Sequence, residues 1–291
     1  MGKRILWTLV AVLSFCGNIL AQTDVKLDDD AMYFTKDELP NAVKFLPAPP
    51  DTTSVAFNYD ILQYMWGKEQ RQDSLRTQQA IDNAVEEIPD MLAQFSVPFG
   101  MELSKEKTPA IYHVVHRGVF SVRLAASKPK ITYQRLRPFA RFDEHTIMPA
   151  GEERLRSNGS YPSGHTVRGW TMTLLLMEIN PDAQDDLLAF GYEWGQSRVI
   201  SGYHWQSDVD ASRLVAAAGY SRLHTSQEFL DDMAAARKEF ARLKANMHVV
   251  SKRKYANQTI IRLQQWNHIA FFVWFHCLMY PTFAAKIWYF G

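Results

Sequence analysis

Cysteine is almost missing from this sequence: only Cys16 and Cys277 occur in 291 residues. A disulfide-stapled scaffold is therefore excluded, and so is a zinc site built from paired cysteines. An excess of one charge is missing too, because 32 Lys and Arg stand against 31 Asp and Glu, for a net charge of +1. Dedicated nucleic-acid binders show a clear basic excess, so no nucleic-acid partner is expected. Runs of alternating apolar and polar residues long enough for a half-buried strand are absent, which makes the fold all-α. The core region has no series of apolar runs of 18 or more residues, which a polytopic membrane protein would need. Neither an internal repeat nor an HExxH-like metal motif is present.

What is present is apolar material: 47% of residues are hydrophobic and 13% aromatic. That composition excludes disorder and suffices for the core of one domain, or at most two. Lys3 and Arg4, the apolar run Ile5 to Phe15 and the small residue Ala21 read as an export signal cleaved before Gln22, for a periplasmic or secreted protein. Lipidation at Cys16 is disfavoured by the bulky Phe15 before it. Removal of residues 1–21 takes 32 basic residues to 30 against 31 acidic, and leaves Cys277 alone.

Residues 22–53 read as an extended arm lying over the core, with Pro47, Pro49 and Pro50 blocking regular structure. Residues 54–250 read as a single helical domain. Apolar residues recur at three- and four-residue steps from Phe57 to Ala93, suggesting two amphipathic helices. A further helix is expected over about 108–126, opened by Pro109. The section 128–160 reads as irregular with short helical pieces. The apolar run Thr166 to Ile179, ended by Asn180-Pro181, is expected to be the central helix. Helices over about 185–201, 208–223 and 227–246 follow. The tail 251–291 is apolar and aromatic from Tyr255 onward, with Pro281 and Lys286 interrupting it. Its open readings are a membrane contact through 255–291, a helix packed on the core or a subunit, and an unstructured extension.

Chemistry concentrates in three segments. From Arg117 to Arg156 nine basic residues face four acidic ones, which suits a pocket for a small anion. Within it, Lys130 offers a point charge and Arg137 a bidentate fork. The second segment, Gly159 to Thr166, ends in Pro162-Ser163-Gly164-His165 where a helix begins. Its amides and the Ser163 hydroxyl can hold phosphoryl oxygens. The third is Ser197-Arg198, then His204, then Asp208. Four residues apart, Asp208 can orient His204 as a nucleophile, which leaves His165 as general acid. Arg198 completes the cation set. Together these parts suffice for phosphoryl transfer without a metal or cofactor. Ligation of a metal by His165, His204 and Asp208 is the alternative, and a structural helix pair is the plain reading of His204 with Asp208.

The spacings K-x6-R-P, P-S-G-H and S-R-x5-H-x3-D resemble the signature shared by type 2 phosphatidic acid phosphatases and vanadium haloperoxidases. The strings 159–166 and 197–210, with Phe45 to Pro50, look like bacterial class A nonspecific acid phosphatases. The resemblance spans roughly Phe45 to Phe240. It implies an all-helical, metal-independent, exported enzyme that is often oligomeric and hydrolyses small phosphate monoesters with broad specificity and an acidic optimum. By the same resemblance, His204 becomes phosphorylated, Asp208 orients it and His165 protonates the leaving alcohol. Lys130, Arg137, Ser163, Gly164 and Arg198 hold the phosphoryl group. A haloperoxidase, a lipid phosphatase of the same superfamily and an inactive anion-binding protein are the competing readings.

Overall fold

Helices supply all the regular structure in residues 32–246, the part of the chain that the computed structural model describes, and no strand occurs there. The expected signal segment, the aromatic tail, Cys16 and Cys277 lie outside the described residues. From residue 32 to 54 the chain is irregular except for the short helix α1 (Ala42–Phe45), which Asn41 caps by accepting from the Val43 amide. Tyr33, Phe34, Leu39, Ala42 and Leu46 are nonetheless buried within the main core, so the arm contributes to the core rather than merely covering it. Polar contacts fix it further: the Tyr33 hydroxyl donates to Asp232 at 2.6 Å and its amide to Ser121 Oγ at 2.9 Å. The Tyr161 hydroxyl donates to the Pro47 carbonyl at 2.8 Å.

The region expected to hold two helices holds three: α2 (Val55–Gln70), α3 (Ser74–Asp82) and α4 (Ile88–Gln94). Asp73 caps α3 by accepting from the amides of Leu75 and Arg76. Pro89 explains the second break, because a proline within a helix removes a hydrogen bond and clashes with the preceding turn, whereas in the first turn of α4 it is tolerated. The chain continues through α5 (Ser96–Phe99), α6 (Pro109–Val122), α7 (Ser127–Tyr133), α8 (Pro138–Phe142) and α9 (Glu152–Arg156). Then come α10 (Gly164–Ile179), α11 (Gln184–Ile200) and α12 (Gln206–Leu223), and a charged helix runs over 227–246.

Helix α10 is central, packing against α6, α11 and α12. Val167, Met172, Leu175 and Leu176 are fully buried there, each worth about 1.5–3 kcal/mol relative to exposure. The approach of α11 to α10 is close enough that a Cβ at Gly169 would overlap the Trp194 indole. Trp194 in turn stacks on His165, with ring centroids 5.1 Å apart and an interplanar angle of 3°. Small-residue packing between two helices thus fixes the plane of a site imidazole. A second cluster of Phe57, Tyr64 and Trp205 brings α2 against the start of α12. No helix among the described residues is long and apolar enough to cross a membrane.

Candidate active site

The C-terminal end of α11, the start of α12, the N-terminus of α10 and the segment from α7 to α9 converge on a cavity of about 380 Å³. Of the eight expected site residues, Lys130, Arg137, Gly164, His165, Arg198 and His204 line it. Asp208 and Ser163 are fully buried behind this wall.

His204 is not on the helix that carries Asp208. Trp205 is the residue that caps α12, so His204 precedes the helix while Asp208 sits in its first turn. The chain turns between them so that His204 Nδ1 lies 3.3 Å from Asp208 Oδ2. Arg137 Nη1 lies 3.0 Å from His204 Nε2. A guanidinium can only donate, so Nε2 carries a lone pair and the ring proton sits on Nδ1, toward the carboxylate. This is the tautomer a nucleophilic imidazole needs, with Nε2 facing the cations.

Arg137 and Arg198 are buried and Lys130 is partly buried. Lys130 Nζ donates to the Gly159 carbonyl at 2.6 Å, and burial followed by the charge of Arg137 lowers its pKa to about 7. Arg137 Nε donates to the carbonyls of Leu155 and Asn158, each at 3.0 Å, and burial lowers its pKa to about 10. Arg198 has Nε and Nη1 buried with no hydrogen-bond partner. Buried donors without acceptors are costly, so a guanidinium held this way is prepared for an anion that satisfies them. The amides of Gly164 and His165, first in α10, have no intrahelical acceptor and carry the positive end of the helix dipole. The Ser163 amide donates to the Asp208 carbonyl at 3.1 Å, and its Oγ accepts from the Thr166 amide at 3.3 Å and the Thr166 hydroxyl at 3.0 Å. Ser163 in this arrangement caps α10 and ties it to α12.

His165 Nε2 is 2.6 Å from the Asn83 carbonyl, so it must be the protonated nitrogen of the neutral ring, leaving Nδ1 to gain or lose the exchanging proton. Burial first, then Arg198 and Arg168, hold His165 well below its ordinary value of 6.5. The sequence alone suggests a histidine titrating near that ordinary value; the stacked, cation-rich setting shifts it toward the neutral form. Burial and Arg137 do the same to His204. Asp208 stays ionised well below the usual carboxylate range, because Arg135, His204 and Ser160 outweigh the effect of burial.

Three contributors went unassigned at the level of sequence. Arg135 Nη1 donates to Asp208 Oδ1 at 2.6 Å and its Nη2 donates to Asp60 Oδ2 at 2.6 Å. Asp60 also accepts from the Ser207 amide at 2.8 Å and the Ser207 hydroxyl at 2.6 Å. Ser160 Oγ forms a short hydrogen bond to Asp208 Oδ2, which accepts from the Trp205 amide at 2.8 Å as well. Asp208 is thus held from every side, and its alignment is built by four chain segments. The local excess of basic residues marked the region of Arg135, and the octapeptide contained Ser160, but neither role had a local signature.

Lys130 sets a testable pH dependence. Its positive charge is half lost at about 7 and goes on falling above it. Once the ionisation of the substrate is corrected for, kcat/KM is expected to fall by about eightfold between pH 6.5 and 8. Lys130→Arg keeps its charge throughout and should move this limb upward by more than one pH unit. An unmoved limb in that variant would assign it to another group.

The chain has relatives among known proteins. The profile of the PAP2 superfamily matches residues 112–231. A non-specific acid phosphatase of Providencia stuartii is 39% identical over 222 residues, covering 76% of this chain and 89% of the relative. A non-specific acid phosphatase of Salmonella typhimurium is 36% identical over 208 residues, covering 71% and 83%. An acid phosphatase of Zymomonas mobilis is 31% identical over 201 residues, covering 69% and 76%.

Proposed function

Since the chain belongs to the nonspecific acid phosphatases of the PAP2 superfamily and is a phosphoric monoester hydrolase, we propose that it works through a phosphohistidine at His204. The observation that carries this is the arrangement of His204, with its Nδ1 at Asp208 and its Nε2 lone pair at Arg137 in a cation-lined cavity. A phosphoryl oxygen takes over the Arg137 bond, which frees the lone pair for phosphorus. The Nε2–P bond forms as the P–O ester bond breaks, and Nδ1 of protonated His165 gives its proton to the departing alkoxide. Water then attacks phosphorus, His165 takes a proton from it, and the P–N bond breaks to release inorganic phosphate and neutral His204.

Lys130, Arg137, Arg198 and the first amides of α10 stabilise the equatorial oxygens, the positioning and charge neutralisation that dominate phosphoryl transfer. With three cations so placed, no metal is required, and activity should survive EDTA. Because burial favours neutral His165, its proton arrives most readily with the substrate. A phosphate monoester has a second pKa near 6, so the monoanion that prevails in acid brings the proton the site lacks. This accounts for work in acid better than a protonated resting histidine does.

Export is supported by Lys3, Arg4 and the apolar run to Phe15, and a mature chain still beginning at Met1 would refute it. Broad specificity is supported by the innermost cations of the site, Lys130, Arg137 and Arg198, which address the phosphoryl group that all monoesters share. The mechanism is tested by rapid quench with radiolabelled substrate: an acid-labile, alkali-stable phosphoenzyme is expected in the native chain and none in His204→Ala. Label retained in that variant would place the nucleophile elsewhere.

A further inference from the structure

Arginines outnumber the needs of one phosphoryl group in this cavity. Besides Lys130, Arg137 and Arg198, its lining includes Arg123, Arg154 and Arg168. Of the first three, Arg137 meets His204 Nε2, Lys130 Nζ donates to the Gly159 carbonyl and Arg198 lies over the Tyr203 ring. The second three come from separate elements: the turn after α6, α9 and the second turn of α10. They are more exposed, Arg154 being 63% exposed in its side chain and the other two half-buried, so they lie toward the opening.

Their existing partners leave charge unmatched. Arg154 Nη2 pairs with Glu86 Oε1 at 2.6 Å, and Arg168 Nη1 donates to the Glu86 backbone carbonyl. Arg123 lies with its guanidinium 3.8 Å from the centre of the Phe120 ring, and its Nε is buried without a hydrogen-bond partner. Glu86 and Glu87 are the carboxylates facing the three arginines. Only one of these, Glu86, lines the cavity. Burial depresses the pKa of both Arg123 and Arg168, and Arg168 is further lowered by the charges of Arg123 and Arg154. Like charges crowded around a cavity with one carboxylate in its wall are relieved by an incoming anion.

We propose that Arg123, Arg154 and Arg168 form a second anion subsite, which favours phosphate monoesters whose alcohol carries a further anionic group, a carboxylate or a second phosphate. The inference rests on the reading that the inner cations hold the scissile phosphoryl group. The leaving alcohol then points to the opening, where guanidinium forks suit both kinds of anion. Substrates with uncharged alcohols are still accepted, but they leave these donors to water and Glu86.

Matched substrates test this. 3-Phosphoglycerate and glycerol 3-phosphate differ chiefly in a carboxylate, and glucose 1,6-bisphosphate and glucose 6-phosphate in a second phosphate. The native chain is expected to prefer the more anionic member of each pair by at least about tenfold in kcat/KM. In Arg123→Gln/Arg154→Gln both ratios should fall toward one, while turnover of p-nitrophenyl phosphate, whose leaving group lacks a further anionic group, stays within about twofold. Ratios near one in the native chain, or ratios unchanged in the variant, would overturn the subsite. Should the double variant not fold, Arg154→Gln, altered at an exposed side chain, is expected to cut both ratios by at least about threefold, and unchanged ratios there overturn it as well. Calorimetric binding of 3-phosphoglycerate and glycerol 3-phosphate to His204→Ala separates the two readings. A retained tenfold preference in affinity together with undiminished turnover by this variant would leave the subsite standing and the phosphohistidine reading refuted.

Discussion

His204→Ala is expected to lower kcat by about 10⁴–10⁶, the scale on which removal of a covalent nucleophile is felt when the rest of a site is left in place. The protein should remain folded, because Arg137 keeps its bonds to the carbonyls of Leu155, Asn158 and Tyr203 when the imidazole is gone. Inorganic phosphate should still bind, since Lys130, Arg198 and the α10 amides are untouched. Steady-state kinetics with p-nitrophenyl phosphate, circular dichroism and phosphate inhibition constants check the three parts. A variant with turnover within tenfold of the native chain would sink the mechanism. Loss of activity together with loss of structure would show that His204 serves the fold instead.

Asp208 separates orientation from stability, and its two informative variants should behave differently. Asp208→Asn keeps the shape, but its carboxamide can donate toward His204 Nδ1, driving the ring proton to Nε2 and blocking the lone pair. The expected loss is about 10³–10⁴ in kcat, comparable to the loss of the orienting carboxylate in a catalytic triad. Asp208→Ala adds a stability cost, because it removes the acceptor of Arg135, Ser160 and the Trp205 amide in a fully buried place. Breaking a buried ion pair from one side costs about 3–5 kcal/mol. For a domain of this size that lowers Tm by on the order of 10 °C. Thermal denaturation of both variants beside their kinetics distinguishes the effects. Equal Tm values for Asp208→Ala and the native chain would mean that Asp60 alone suffices to hold Arg135.

On the proposed mechanism, burial also explains how a histidine nucleophile could work in acid. An imidazole with its ordinary pKa of 6.5 would be protonated and inert at low pH. The His204 ring is shielded from water and faces Arg137, so it keeps its lone pair in acid while Lys130 keeps its charge. The acidic range is where both requirements hold.

Much of the site was legible because its residues recur at fixed local spacings. Lys130 and Arg137 belong to one segment, Ser163, Gly164 and His165 to a helix start, and Arg198, His204 and Asp208 to a third. The boundaries of α10 were equally plain, set by a turn rich in small residues before it and Asn180-Pro181 after it. The three-way split of 55–94 was not read, although Pro89 stands in the sequence, because apolar periodicity runs straight through the break. The support of Asp208 could not be read, since Asp60 is 75 residues from Arg135 and 147 from Ser207. No local pattern announces a carboxylate that works through a partner so distant.

By itself the sequence determined the all-helical class, the cation set, the two histidines and the carboxylate, because each depends on residue type and on spacings of a few positions. Tertiary structure alone decided that His204 stands before α12 rather than on it, that Asp60 and Arg135 clamp Asp208, and that three further arginines meet at the opening. It also decided the protonation states, because these depend on burial and on the distances between charges that only packing brings together.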